Sequence, residues 1–409
     1  MTTSGTTSET PVDTLPRVDR AGATDTANLE NVAIVQPAPL VEPTPSPPKA
    51  KRLASVDALR GFDMFWIMGG AEAILALIAL FISPVPEAIA RQFDHVEWEG
   101  FVAWDLIMPL FLFVSGAALP FSMSKWHSGK GGRRGFYLRL ARRIALLWIL
   151  GMAIQGNLFD WDLDKLKLYS NTLQAIAAGY LVSTIFLLTM SIRAQIIATA
   201  ALLLGFWGIM MLVPIPGQGA GHLEPLTNFA HYFEGVVFGR FRDTWTYTWA
   251  LSSMGFAATV MQGVFAGHVL RTMWSDRKKT LVLLALAIGS LAAGWIWGLW
   301  FPIIKHIWTS SMVLWSGGWC YLLLVAFFWV IDVKGYRKWA FPLVVVGMNA
   351  IAVYVATHLF DFRAMSDVFV GNLEQHSPSV AEFLGAFGAL LIPWLILYYM
   401  YRKNTFIRL

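Results

Sequence analysis

One cysteine, Cys320, is all that 409 residues provide, so neither a disulfide framework nor a thiolate metal site can form within the chain. The eight histidines include no His-x-x-x-His pair, and a lone histidine beside acidic neighbours does not make a metal site. Charge is also scarce. Charged residues make up 14% of the sequence, where a soluble domain carries about 25%. The pI of about 9.2 comes with no RNA- or DNA-binding motif, so no nucleic acid is expected as a partner. Residues 1–50 are rich in Thr, Pro, Ser and Ala and lack the apolar core of a signal peptide. They read as a disordered cytoplasmic tail before a transmembrane domain over 51–409. No internal repeat is visible, which weighs against a transporter built from inverted halves.

What the sequence has is apolar length. Hydrophobic residues reach 56%, and long runs of them are separated by basic clusters. About 20 residues at 1.5 Å rise cross the hydrocarbon core. Such runs predict an all-α polytopic bundle of about ten transmembrane helices, near 60–82, 101–123, 143–157, 172–191, 195–214, 248–270, 280–301, 309–331, 340–359 and 380–400. The third is the shortest. Basic residues accumulate on the cytoplasmic side of membrane proteins. With N-in and C-in, only Arg91, Lys165, Lys167, Arg240, Arg242, Lys305 and Arg363 of the 31 Lys and Arg fall in the opposite loops.

An ionisable side chain in the bilayer costs several kcal/mol by most scales and usually faces a protein-lined cavity. Span one opens Ser55-Val-Asp57-Ala-Leu-Arg60-Gly61-Phe-Asp63. The i, i+3, i+6 spacing puts Asp57, Arg60 and Asp63 on one helix face. That stripe is either a structural ion pair or a cytoplasmic mouth for an anionic ligand. Glu72 lies further along the same span, as a polar lining residue or near a bent helix end.

The densest chemistry follows, from Phe93-Asp94-His95 through Trp98 to Trp104-Asp105 and Pro109. His95 precedes span two, and Asp105 lies one to two turns inside it. A histidine can take and return a proton at neutral pH, and a nearby aspartate can fix its tautomer. The competing reading is an interfacial loop anchored by His95 and Trp98 at headgroup level. Asn171, Gln174, Gln262 and Asn349 are polar residues in apolar spans, where interhelical hydrogen bonds are the usual role. His358 closes span nine. Asn349 and His358 are nine positions apart, so they share a site only if the helix bends between them. The loop from Pro214 to Thr248 interleaves aromatics with Asn, Asp and Arg. It suits a sugar-like ligand or simple interfacial anchoring.

These blocks carry a family likeness. Arg52-Leu-Ala-Ser55-Val-Asp57-Ala-Leu-Arg60-Gly61 and His95-x-x-Trp98-x-Gly100-x-x-x-x-Asp105-Leu-Ile-x-Pro109 resemble heparan-alpha-glucosaminide N-acetyltransferase and its bacterial relatives. Leu173-Gln174-x-x-x-x-Gly179-Tyr180, Asp332-Val-Lys334-Gly335 and Gly347-Met-Asn349-x-Ile-x-Val-Tyr354-x-x-His358 resemble later blocks in the same order.

The resemblance implies a membrane-embedded acyltransferase that moves acetyl from cytoplasmic acetyl-CoA to an amino sugar, glucosamine-like, on the far side. It makes His95 the catalytic residue, with Asp105 beside it. Glu72 stands where some members carry an asparagine. Ser55, Asp57, Arg60 and Gln174 are then expected at the acetyl-CoA co-substrate, and Asn349, His358 and Trp98 at the acceptor; no metal is expected. Expected partners are an amino-sugar or saccharide acceptor and the lipid bilayer, with a homodimer as a possible assembly. The location implied is a bacterial inner (plasma) membrane. The sequence departs from the family pattern at Ala175 and at Thr246–Ser253, where the acceptor should bind. The alternatives are a sugar transporter without acyl transfer and a more distant O-acyltransferase.

Overall fold

A computed structural model describes residues 53–127, 132–155, 158–159 and 161–407. The expected tail lies outside the described residues. Span one consists of α1 (Ala54–Phe65), a π-helical stretch over Trp66–Gly70 and α2 (Ala71–Ala79). The break falls at Gly69, whose φ of 106° a residue with a Cβ would resist. A π segment inside a helix re-aims the side chains after it, and here it turns Trp66, Ile67 and Glu72 towards a cavity.

After the short α3 (Glu87–Ala90), the loop carrying His95 leads into α4 (Ile107–His127). Next come α5 (Gly132–Ile154), α6 (Thr172–Thr189) and α7 (Ile192–Leu212). The connection after α7, read from sequence as a long loop, contains a ten-residue helix, α8 (Phe229–Phe238). Then follow α9 (Ser253–Arg271), α10 (Asp276–Gly298) and α11 (Ser310–Phe327), the last continuing as π-helix to Val333. The short helices α12 (Phe341–Gly347) and α13 (Ala350–Leu359) are bent 76° from each other. The chain closes with α14 (Phe362–Val370) and α15 (Pro378–Arg402). Side chains that bond backbone N–H groups start several of these helices: Asn171 for α6, Ser191 for α7, Ser275 for α10 and Thr309 for α11.

Among the described residues, eight helices are long and apolar enough to cross a membrane, or nine with the bent α12–α13 pair as one span. The protein is thus an all-α polytopic membrane bundle. Of the ten expected spans, the third corresponds to α5, whose first half is basic. Arg143 of α5 lies over the Tyr180 ring of α6, 4.2 Å from its centroid, which gives the cation a partner among apolar helices.

The most enclosed helix is α9, which packs on α4, α6, α7 and α11. Small residues permit this, because lipid tails are as apolar as leucine and only close packing favours the contact. A Cβ on Gly263 would collide with the Phe113 carbonyl oxygen, and one on Gly116 with that of Val260. Outward side chains such as Ile197, Leu204, Ile288 and Trp295 are exposed and face the lipid. Among the described residues, β-pairing is limited to the bridges Glu99–Ile304 and Ile215–Gly219.

Candidate active site

The loop before α4 is held by backbone and side-chain bonds together. Asp94 accepts from the N–H of His95 at 2.8 Å, and Gly100 donates to the Ile303 carbonyl at 2.9 Å. Gln92 accepts from the N–H of Ala103. Asp105 lies in the 3-10 turn Ala103–Leu106, where its Oδ2 accepts from the Val102 N–H at 3.2 Å. Its other oxygen, Oδ1, is 2.8 Å from Nδ1 of His95.

A third residue completes the cluster. Lys305, from the connection between α10 and α11, places Nζ 3.2 Å from Oδ1 of Asp105 and 3.2 Å from Nδ1 of His95. The side chains of Asp105 and Lys305 are 1% and 7% exposed, while that of His95 is 43% exposed. The lysine and carboxylate are therefore sealed behind the histidine. Burial pushes the Lys305 ammonium below its ordinary range, and Asp105 opposes that shift. With Asp105 ionised, its Oδ1 can only accept, so the 2.8 Å contact is made by an Nδ1–H that donates to Asp105. That leaves Nε2 as the basic nitrogen.

Lys305 is fixed by its own turn. Thr309 Oγ1 accepts from the N–H of Ile304 and donates to the Pro302 carbonyl, and Trp308 takes a φ of 55°. The neighbouring His306 stacks on Trp98, with ring centroids 5.2 Å apart, and lies 4.2 Å from Tyr247. Burial, with Lys305 and His95 nearby, pushes His306 down to about 4, so it is a neutral packing ring rather than a base.

His95 opens onto a cavity of about 690 Å³. That lies within the usual range for small-molecule sites, about 300–1,000 Å³. Its lining combines aromatic and apolar side chains, among them Trp66, Trp104, Ile107 and Met108, with polar ones, among them Asn171, Lys167 and Asp243. Lys167 and Asp243 pair at 3.0 Å, and Trp249 Nε1 donates to the same carboxylate at 3.1 Å. Glu72 and His358 also line the cavity. His358 Nδ1 lies 2.8 Å from the Tyr354 carbonyl, to which it donates.

The lining comes from the π-helical stretch and α2 of span one, the loop before α4 with the start of α4, the α5–α6 connection, the α7–α9 connection, the α10–α11 turn and the end of α13.

Of the sequence-predicted residues, the structure brings His95, Asp105, Glu72 and His358 together. Others brace the walls. Gln174 accepts from the Ser170 N–H and donates to the Leu168 carbonyl. Trp98 donates to the Leu223 carbonyl behind His306. The helix does break at Asn349, as a shared site would need. Even so, Asn349 spends its amide on Thr405 and Ile407 near the C-terminus. Ser55, Asp57 and Arg60 lie at the far end of α1, with Arg60 paired to Asp57 at 3.7 Å and the Ser55 N–H bonded to Asp332.

Lys305 was missed by sequence reasoning, although it carried a signal. It is one of the few basic residues in the opposite loops, set between Ile303-Ile304 and Ile307-Trp308. A Lys-His pair flanked by two apolar residues on each side is a signal for a cation drawn into the protein rather than left in a solvated loop.

Fold and site together define a polytopic membrane protein with a histidine–carboxylate–lysine cluster at one end of its bundle. No family model matches the chain. It is 24% identical over 422 residues to human heparan-alpha-glucosaminide N-acetyltransferase, covering 87% of this chain and 59% of that protein. The mouse protein of the same name is 22% identical over 425 residues, covering 87% of this chain and 60% of its own. The chain thus spans about three-fifths of the length of the curated relatives it matches. These matches support membership of the heparan-alpha-glucosaminide N-acetyltransferase family.

Proposed function

We propose that this protein is a transmembrane acetyltransferase that transfers acetyl from acetyl-CoA to the amine of a glucosamine-like sugar, with His95 as the base. The observation that carries this reading is the cluster itself. Nδ1 of His95 is held 2.8 Å from a buried carboxylate that is also paired with a buried lysine, while the imidazole faces a cavity of sugar-like polarity. The relatives' names supply the reaction class.

In this reading the acceptor amine sits between His95 and the polar lining. His95 Nε2 takes a proton from the amine as its nitrogen bonds to the acetyl carbon, and Asp105 supports the resulting imidazolium. The carbon–sulfur bond breaks, and the proton passes from His95 to the departing thiolate. Acetyl-CoA supplies an activated acyl group as its thioester. The aromatic and apolar side chains of Trp66, Trp104, Ile107 and Met108 fit the thioester end, and the polar lining fits a sugar. Glu72 and His358 would bind acceptor hydroxyls. The donor would enter from the α1 end, past Ser55, Asp57 and Arg60, the last of which lies about 18 Å along the span from Glu72 by helix rise. Gln174 would act by bracing the wall.

The basic asymmetry supports a cytoplasmic donor end and an extracytoplasmic His95. The test is acetyl-CoA consumption by purified protein in micelles offered glucosamine, with product mass measured. An N-acetyl product that depends on His95 supports the reading. Labelled sugar accumulating unmodified in proteoliposomes without acetyl-CoA would overturn it in favour of transport.

A further inference from the structure

Beside the His95 cavity, on the other side of the Arg242-Asp243 segment, lies a second cavity of about 370 Å³. Asp243 lines the first cavity and Arg242 the second. The second is built from the Ile215–Gly219 turn and the start of α8, and its polar lining is Gln218, Thr227, Asn228, His231, Tyr232 and Arg242.

Two of these residues, His231 and Arg242, have donor groups that the surrounding protein does not pair. His231 is 7% exposed, and its Nδ1 is buried with no hydrogen-bond partner. Arg242 makes no ion pair among the described residues. Its guanidinium lies against α8 where Gly235 leaves room: a Cβ there would stand 2.9 Å from Nη1. Of the carboxylates nearby, Asp243 pairs with Lys167 and Glu224 lies 3.9 Å from His222, while Glu234 accepts from the N–H groups of Trp249 and Ala250 through Oε2 and keeps its buried Oε1 without a hydrogen-bond partner. The α8 N-terminus, with its positive dipole end, is at the same cavity.

A buried donor left unpaired costs about 1–3 kcal/mol. That cost falls on Nδ1 of His231; Arg242 is exposed, and its guanidinium, together with His231 and the α8 N-terminus, offers donors and positive charge to an oxyanion. We propose that this second cavity is an anion-binding site, taking a phosphate, sulfate or carboxylate group on Arg242 and His231. Burial and the Arg242 charge hold the His231 imidazole below its ordinary range, with Asp243 opposing, so it serves as a neutral N–H donor. The anion is either a free oxyanion or the acidic substituent of a saccharide reaching across from the first cavity. The site stands independently of acetyl transfer.

The test is the thermal midpoint of the purified full-length protein in detergent, titrated with inorganic phosphate, inorganic sulfate, glucosamine and glucosamine 6-phosphate at matched ionic strength. A saturable rise with phosphate or sulfate is expected, with affinity at least tenfold weaker in R242Q and in H231F. Glucosamine 6-phosphate binding more tightly than either part alone assigns the anion to a saccharide; affinity equal to that of inorganic phosphate assigns a free oxyanion. No saturable rise in the wild type, or the same rise in R242Q, overturns the proposal. Arg242 is exposed, so R242Q should fold. Gly235→Ala provides a second arm, because it displaces the guanidinium and should weaken phosphate binding without removing any donor.

Discussion

Nζ of Lys305 lies 3.2 Å from Oδ1 of Asp105, across 200 positions of sequence, and both side chains are nearly sealed from solvent. The pair sits directly behind His95 and shares the same carboxylate oxygen with it. One carboxylate thus neutralises a buried cation and fixes a histidine tautomer.

His95→Ala should abolish acetyl transfer while leaving the fold intact, because the His95 side chain is 43% exposed and contributes little packing. General-base catalysis of this kind is worth about 10²–10⁴ in rate. The measurement is kcat with glucosamine in micelles, alongside the thermal midpoint. Turnover within a few-fold of wild type would remove His95 from the chemistry.

Asp105→Asn should destabilise the protein by about 3–5 kcal/mol, since it leaves the buried Lys305 cation unpaired, and Lys305→Met should cost less, since Asp105 keeps His95 and the Val102 N–H. The double variant removes both charges. It should be more stable than the sum of the single losses implies, with a coupling of about 0.5–3 kcal/mol. Denaturation of all four proteins in one detergent measures this. Additive losses would mean that the two residues are not paired in the folded protein.

Glu234 gives the protein a pH dependence of stability with a definite sign. Burial pushes its carboxyl up to about 7, against the two backbone N–H bonds it accepts, with Asp243 adding to the rise. Between its ordinary value of 4.5 and about 7, the folded protein holds a proton that the unfolded chain has released. Stability from this group therefore falls as pH rises through that window and is flat above it, by about 3 kcal/mol at most. His306, lowered to about 4, runs the other way, gaining stability as pH rises from 4 to 6.5. Comparing Glu234→Gln with wild type at pH 5 and pH 7.5 separates them. The variant should lose less stability over that step than wild type. Parallel curves would place the titration elsewhere.

Gly347→Ala should be more damaging than a one-carbon change suggests. Helices α1 and α12 cross so closely that a Cβ on Gly347 would collide with the Asp57 carbonyl oxygen, and one on Gly61 with that of Leu343. Backbone cannot swing aside as a side chain can, so a loss of about 1–3 kcal/mol or more is expected. Gly371→Ala, where nothing lies within 4 Å, is the control. Equal thermal midpoints for the two variants would show that the crossing is looser than described.

The sequence by itself determined the class of this protein and half of its candidate site. Apolar length is a property of consecutive residues, so the membrane spans could be read directly, including the α12–α13 segment as one apolar run. His95 and Asp105 could be paired because they sit ten positions apart on one loop and helix start. The 76° bend at Asn349, the helix inside the Pro214–Thr248 connection and the place of Lys305 were decided only in three dimensions. Hydropathy says that a residue lies in a span, not which face meets which neighbour. The family resemblance set Gln174, Trp98 and Asn349 at the ligands, and in the structure each bonds backbone groups of neighbouring segments. Lys305 looked like loop charge, yet helix packing brings it behind the histidine that the sequence had already singled out.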